Sequence, residues 1–176
     1  MNYFEFYNIP EAFNVDELAV KRKFYELSKQ YHPDFYINES ADKQQQILEL
    51  STINNKAYQV LSDDGRRLKY MLELNGLITE DEKYKLPQSF LMEMMDVNEA
   101  LMELEFDAVE AGIQKISLEV DEIEKTLSKE LKSLSQAFDK AEQEERNSIL
   151  LKIKDLWYRQ KYLLRIRDSL NKFATR

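Results

Sequence analysis

The chain has 176 residues with no cysteine and a single histidine, and 25 Lys+Arg against 33 Asp+Glu leave a net charge of -8. Without thiols there is no disulfide, no cysteine-ligated zinc and no cysteine nucleophile, and one imidazole leaves a metal only carboxylates as further ligands. Three glycines, three prolines and a 43% hydrophobic share point to packed helices, and neither glycine-rich nucleotide-binding string occurs.

YFEFY at the start reads as a short aromatic helix or turn closed by Pro10. Asn14, three residues before Glu17, predicts a capping box for a helix through Tyr31, on which Val20, Phe24, Leu27 and Tyr31 form an amphipathic core stripe. His32-Pro33-Asp34 follows at once. A residue before proline is pushed out of helical angles, so the tripeptide is expected on an exposed loop, stiffened and with little entropy left to lose on binding. A bland turn with a solvated histidine is the alternative. A third helix over 42–61 turns Leu50, Ile53, Ala57, Val60 and Leu61 inward, and a short fourth covers 66–74. Asn75-Gly76 is a helix-stop signal, followed by the polar LITEDEKYKLPQ.

The second half has longer periods. A helix over 88–106 places Phe90, Met94, Val97, Leu101 and Leu104 on one arc. Left over are Leu91, Met92, Met95 and Met102, interleaved with Asp96, Glu99 and Glu103. Apolar groups beyond a core stripe suggest a contact surface, and methionines with flanking carboxylates suit a basic partner. Packing of Leu91 and Met95 against the rest of the protein is the competing account. Ile113, Ile116, Val120, Ile123, Leu127, Leu131, Leu134 and Phe138 then keep a coiled-coil rhythm. A run over 141–173 with Ile149, Ile153, Leu156, Leu163, Ile166 and Leu170 can pair with it as a hairpin.

Charge is unevenly placed. Residues 80 to 110 hold ten acidic side chains (Glu80, Asp81, Glu82, Glu93, Asp96, Glu99, Glu103, Glu105, Asp107, Glu110) against Lys83 and Lys85, while the rest is balanced at 23 against 23. A solvated helix face would explain such a block equally well. The balance disfavours nucleic acid, which wants a basic footprint. MNYFEFYNIPEAFN lacks a basic region followed by an apolar run, and no stretch reaches the ~18 apolar residues of a membrane span, so a soluble, untargeted chain is expected. His32 with Asp34 has no nucleophile or oxyanion donors beside it, which argues against acid-base catalysis.

YFEFYNI, KRKFYELSKQYHPD and, some twenty residues on, INNKAYQVLSD followed by RRLKY stand in an order and spacing that resembles the J domain of Hsp40 co-chaperones. The resemblance implies a helical hairpin with His32, Pro33 and Asp34 at its tip, engaging an Hsp70 and triggering its ATP hydrolysis, with Asp34 pairing with an Hsp70 arginine. Lys21, Arg22, Lys23 and Lys29 are candidates for electrostatic docking. They spread around the helix, so periodicity does not choose among them, and simple solubilisation is the alternative. Phe35 stands where many J domains carry a basic residue. No Gly/Phe-rich linker or cysteine-rich module follows.

A J domain joined to a helical bundle that opens with FLMEMMDVNEALMELE resembles the HscB family, the co-chaperones of iron-sulfur cluster assembly. That implies an HscA-type Hsp70 and an IscU-type scaffold as partners, with Leu91, Met92, Met95, Asp96, Glu99 and Glu103 as the scaffold-binding surface. Tyr162, in RQKYLLRI, joins it by the same resemblance, although a bundle tyrosine explains it as well. The expected architecture is all-α: a four-helix J domain over 1–75, a linker over 76–87, and an elongated three-helix bundle over 88–176. The expected function is that of a non-enzymatic adaptor in the bacterial cytoplasm, without cofactor or metal and with its oligomeric state, monomer or weak dimer, left open. A J-domain protein for another client, or a coiled-coil interaction protein with an incidental HPD, are the other readings.

Overall fold

The structure is a computed structural model and describes residues 1–79, 82–106 and 110–174; Glu80, Asp81 and Asp107 of the acidic block lie outside the described residues. The chain is all-α, with no strand among the described residues. It divides into two compact units, Met1–Leu77 and Ile78–Arg176.

In the first unit, α1 (Tyr3–Tyr7) is too short to hold itself and is fastened at its ends. Asn2 Oδ1 accepts from the Glu5 N–H at 2.9 Å while the Glu5 carboxylate accepts from the Asn2 N–H at 2.8 Å. α2 (Glu17–Gln30) is capped by Asp16, whose carboxylate accepts from the N–H groups of Leu18 and Ala19 at 3.0 and 3.1 Å. The pattern pointed to Asn14. The cap falls on Asp16 because only a side chain adjoining the first turn reaches its second and third amides. α3 (Ala41–Leu61) starts from a Ser40 cap and α4 (Asp64–Leu74) from an Asp63 cap, both slightly earlier than the expected 42 and 66.

α2 and α3 run antiparallel, Phe24 stacking on Tyr58 with ring centroids 4.3 Å apart. Val20 and Leu27 are buried as their spacing predicts, with Phe24 and Tyr31 half-buried. On α3 the fully buried positions are Ile47, Asn54, Ala57 and Leu61, with Leu50, Ile53 and Val60 half-buried beside them. Asn54 is the polar member of this core. Its amide donates to the Phe24 carbonyl at 3.1 Å and to Ser28 Oγ at 3.0 Å, and its Oδ1 accepts from the Tyr7 hydroxyl at 2.9 Å, joining α1, α2 and α3. Arg67 is also buried, donating through Nε to the Phe13 carbonyl at 2.7 Å and pairing with the Leu61 carbonyl and Asp64. After α4, Gly76 takes φ +66°, and the N–H groups of Gly76 and Leu77 return to the carbonyls of Glu73 and Leu72, both at 2.9 Å. This closes the helix in a Schellman motif at the predicted stop.

In the second unit the single helix expected over 88–106 is two: α5 (Gln88–Glu93) and α6 (Met95–Phe106), with Met94 in the turn between them. Both the backbone N–H and the side-chain amide of Asn98 donate to the Met94 carbonyl, at 2.9 and 2.8 Å, so α6 starts from its own anchor. The long antiparallel pair is α7 (Glu110–Lys140) and α8 (Gln143–Ala174). At 1.5 Å per residue each spans ~45 Å. Ile116, Val120 and Leu127 of α7 and Leu156, Leu163, Ile166 and Leu170 of α8 form one core with Phe90, Met94, Val97 and Leu104 of α5 and α6. At one end of the hairpin Arg146 lies over the Phe138 ring at 5.0 Å, and further along Arg167 of α8 bonds Asp121 and Glu124 of α7.

The segment before α5 is tied to α8. Tyr84 stacks on Tyr158 at 4.3 Å and donates to Asp155 at 2.8 Å, while Tyr158 donates to Glu82 at 3.0 Å and Lys154 pairs with the same carboxylate. Burial first, then these carboxylates, push both phenols up to about 12, so they remain donors at neutral pH. The hydrogen bond from Lys154 holds the Glu82 carboxyl below the usual carboxylate range, aided by Tyr158 and against a smaller desolvation effect.

Asn54→Ala should lower the urea unfolding free energy by about 2 kcal/mol, since it leaves a cavity and strips partners from buried groups on α1 and α2. Glu82→Gln should cost on the order of 1 kcal/mol at pH 7. Because the folded-state value is depressed, that contribution is present above the unfolded-state pKa and disappears as pH falls through the lower folded one. Thermal melts in a pH series check this: the gap between parent and variant should be full at pH 7 and shrink as pH falls below the usual carboxylate range.

Candidate functional site

Two exposed surfaces, one on each unit, carry the residues singled out from the sequence. On the first unit α2 ends at Gln30, and His32 leads directly into a single 3-10 turn, Pro33–Tyr36. His32 takes extended angles (φ -73°, ψ 121°), as the following proline requires, and its Nδ1 accepts from the Asp34 N–H at 3.3 Å. That bond assigns the proton of the neutral ring to Nε2, on the other edge. The His32 and Asp34 side chains are 51% and 81% exposed.

The loop is braced from both helices. The Tyr36 hydroxyl donates to the Gln30 carbonyl at 2.8 Å, and the Gln44 side-chain amide donates to the carbonyls of Ile37 and Glu39 at 3.1 and 2.9 Å. Asp34 therefore presents an acceptor carboxylate from a backbone already fixed. Phe35, 68% exposed, lies beside the His32 ring at a centroid distance of 5.5 Å, so an aromatic surface replaces the basic one at this position.

The structure separates the four basic candidates of α2. Lys23 is half-buried and pairs with Glu26 at 2.9 Å, whereas Lys21, Arg22 and Lys29 are exposed. Arg22 and Lys29 lie seven residues apart, two helical turns, with Tyr25 between them and Leu18 one turn before Arg22. Leu18 and Tyr25 are 71% and 61% exposed. Neither was singled out from the sequence, although a count of the positions opposite Val20 and Leu27 would have found both.

On the second unit the arc of Phe90, Met94, Val97 and Leu104 is buried and Leu101 half-buried, as predicted. The residues left over are in solvent: Leu91 is 42%, Met92 62%, Met95 59% and Met102 62% exposed, and Asp96, Glu99 and Glu103 are exposed among them. Packing of Leu91 and Met95 into a core is thereby ruled out for their own unit. Met92 and Met95 stand on either side of the break at Met94, the first on α5 and the second on α6. Tyr162 is half-buried. Its hydroxyl accepts from Asn98 Nδ2 at 2.7 Å and its ring meets Phe90 edge-on at 5.7 Å, so it supports the helices bearing this face. Phe106, 89% exposed, was missed from the sequence, though it stands four residues after Met102 and eleven after Met95.

Among the described residues no group of three or more His, Cys, Asp or Glu is placed to hold a metal ion, and no helix is long and apolar enough to cross a membrane.

Residues 2–70 match the model of the DnaJ domain, and residues 86–171 match that of the HSCB C-terminal oligomerisation domain. A co-chaperone protein HscB of Buchnera aphidicola (subsp. Acyrthosiphon pisum, strain Tuc7) is 37% identical over 102 residues, 57% of this chain and 59% of that protein. The human iron-sulfur cluster co-chaperone protein HscB is 31% identical over 155 residues, 87% of this chain and 63% of that protein. The matched stretches thus span about three fifths of these relatives' own length. The crystal structure of human HscB superposes with a TM-score of 0.70 at 26% identity, covering 97% of this chain and 81% of that one. HscB from Vibrio cholerae gives 0.58 at 27% identity, covering 97% and 99%. A J-type unit followed by an HscB-type bundle, in this order and with these two matched segments, makes the chain a member of the HscB family of co-chaperones.

Proposed function

We propose that this chain is the adaptor of iron-sulfur cluster assembly that binds an IscU-type scaffold protein, presents it to an HscA-type Hsp70 and stimulates that partner's ATPase. The observation that supports it most is the coexistence of a braced, exposed His32-Pro33-Asp34 loop in one unit with an uncovered Met/acidic face in the other. Asp34 supplies a carboxylate for an Hsp70 arginine, and His32 and Pro33 fix the backbone that presents it. Lys21, Arg22 and Lys29 add attraction to an acidic Hsp70 surface, while Lys23 is already committed to Glu26.

Leu91, Met92 and Met95 supply adaptable apolar area to the scaffold, and Asp96, Glu99 and Glu103 select for basic residues around it. Tyr162 acts through Phe90 and Asn98, holding the helices that carry those side chains. Joining both contacts in one chain raises the local concentration of scaffold at the chaperone, so neither contact has to be tight. ATP hydrolysis belongs to the Hsp70, and the chain performs no chemical step. The proposed setting is the bacterial cytoplasm, in keeping with the bacterial relatives.

The decisive experiment combines the chain with HscA-type Hsp70 and IscU-type scaffold and measures steady-state ATP hydrolysis together with scaffold affinity by calorimetry. His32→Gln should abolish stimulation and leave scaffold affinity unchanged. Met92→Ala with Met95→Ala should weaken scaffold binding by at least tenfold, since each buried methionine contributes about 1.5 kcal/mol or more, and should preserve scaffold-independent stimulation. A folded His32→Gln variant that still stimulates fully removes the HPD loop from the mechanism.

A further inference from the structure

α6 carries an apolar row that runs past the surface proposed for the scaffold. At ~100° per residue, Met95, Met102 and Phe106 fall within about 40° of one another on the solvent side of α6, opposite the buried Val97 and Leu104. Met102 is 62% and Phe106 89% exposed, so neither side chain contributes appreciably to the core of its unit. Two large apolar groups in water on one helix side are a contact surface in waiting. Next to the row, α6 and α8 leave a groove of about 640 Å³ walled by Leu101, Met102 and Glu105 on one side and Ser169, Lys172 and Phe173 on the other.

The charges around this row identify the occupant's chemistry. α6 contains Asp96, Glu99, Glu103 and Glu105 and no lysine or arginine. Across the groove α8 supplies one cation, Lys172; a second copy docking the same strip would still set the four carboxylates of α6 against their own counterparts, with no cation on either α6. A basic amphipathic segment meets the row and its flanks with the opposite sign. Met95 lies at the junction with the proposed scaffold surface, and Met102 is two helical turns, ~10 Å, farther along. A protein seated on Met92 and Met95 therefore has the extension within reach of the same docked body.

We propose that the scaffold contact continues along α6 to Met102 and Phe106, and that a lysine- or arginine-bearing amphipathic segment of the scaffold occupies the α6–α8 groove. This rests on the scaffold-binding reading above and adds a second anchor to it. Phe106 is the outer anchor, Met102 the apolar lip of the groove, and Glu105 the group that faces the incoming cation.

The test is calorimetric titration of the full chain with the apo form of the IscU-type scaffold, at two salt concentrations. Met102→Ala with Phe106→Ala should weaken binding at least fivefold, and Glu105→Lys should weaken it and flatten its salt dependence. Circular dichroism and stimulation of the Hsp70 ATPase in the absence of scaffold should match the parent for both variants, because these side chains lie on the surface of the second unit. A change smaller than fivefold in the double variant, while Met92→Ala with Met95→Ala still weakens binding, overturns the extension and leaves the scaffold-binding reading intact. If neither pair weakens binding, that reading fails and the extension with it. Glu105→Lys binding as tightly as the parent overturns the basic occupant. Loss of self-association in the double variant with scaffold affinity unchanged assigns the row to a second copy and overturns the proposal.

Discussion

A helix can bury only one arc of its surface, and on α5 and α6 that arc is taken by Phe90, Met94, Val97 and Leu104. Their burial against α7 and α8 decides everything else about the second unit's outer face. Once these four are inside, helical geometry puts Leu91, Met92, Met95, Met102 and Phe106 outside, whatever their hydrophobicity. Carboxylates fill the positions between them and keep the face wettable. An exposed apolar face of this kind needs no strained backbone or special chemistry, only more apolar positions than one arc can hold.

Rigidity is distributed differently in the two units. The HPD loop is braced by hydrogen bonds from Tyr36 and Gln44, so His32 and Asp34 stand on a backbone that has little freedom left to lose. The Met-bearing face is built on a fixed helix framework held by Asn98, Tyr162 and the Glu82–Tyr84 tie, but its own side chains are flexible thioethers. One surface holds a carboxylate on a fixed backbone, and the other carries apolar side chains that can change shape at little cost.

Much of this was legible because helix cores repeat every three to four residues. The stripes of α2, α6, α7 and α8, the helix stop at Gly76 and the exposed HPD loop all follow from spacing and from proline and glycine chemistry. What escaped depends on contacts between residues far apart in sequence, or on which of two neighbouring polar groups reaches a backbone amide. Asn54 reads as a surface amide until Tyr7, Phe24 and Ser28 surround it. Asp16 and Asn14 are both good caps on paper, and the start of the first turn decides between them. Lys23 and Lys29 have the same charge, but only the side-chain pairing of Lys23 with Glu26 separates them. The break at Met94 has no proline or glycine to announce it, and the second bond from the Asn98 side chain to the Met94 carbonyl is visible only in the structure.

The Schellman closure at Gly76 reaches beyond its own turn. Because Gly76 and Leu77 return their amides to Glu73 and Leu72, the last helix of the J unit is sealed by atoms from within that unit. Its end asks nothing of the residues that follow. A segment finished in this way is a cassette: its exposed His32-Pro33-Asp34 loop can be kept while the sequence that follows changes, without reopening the junction.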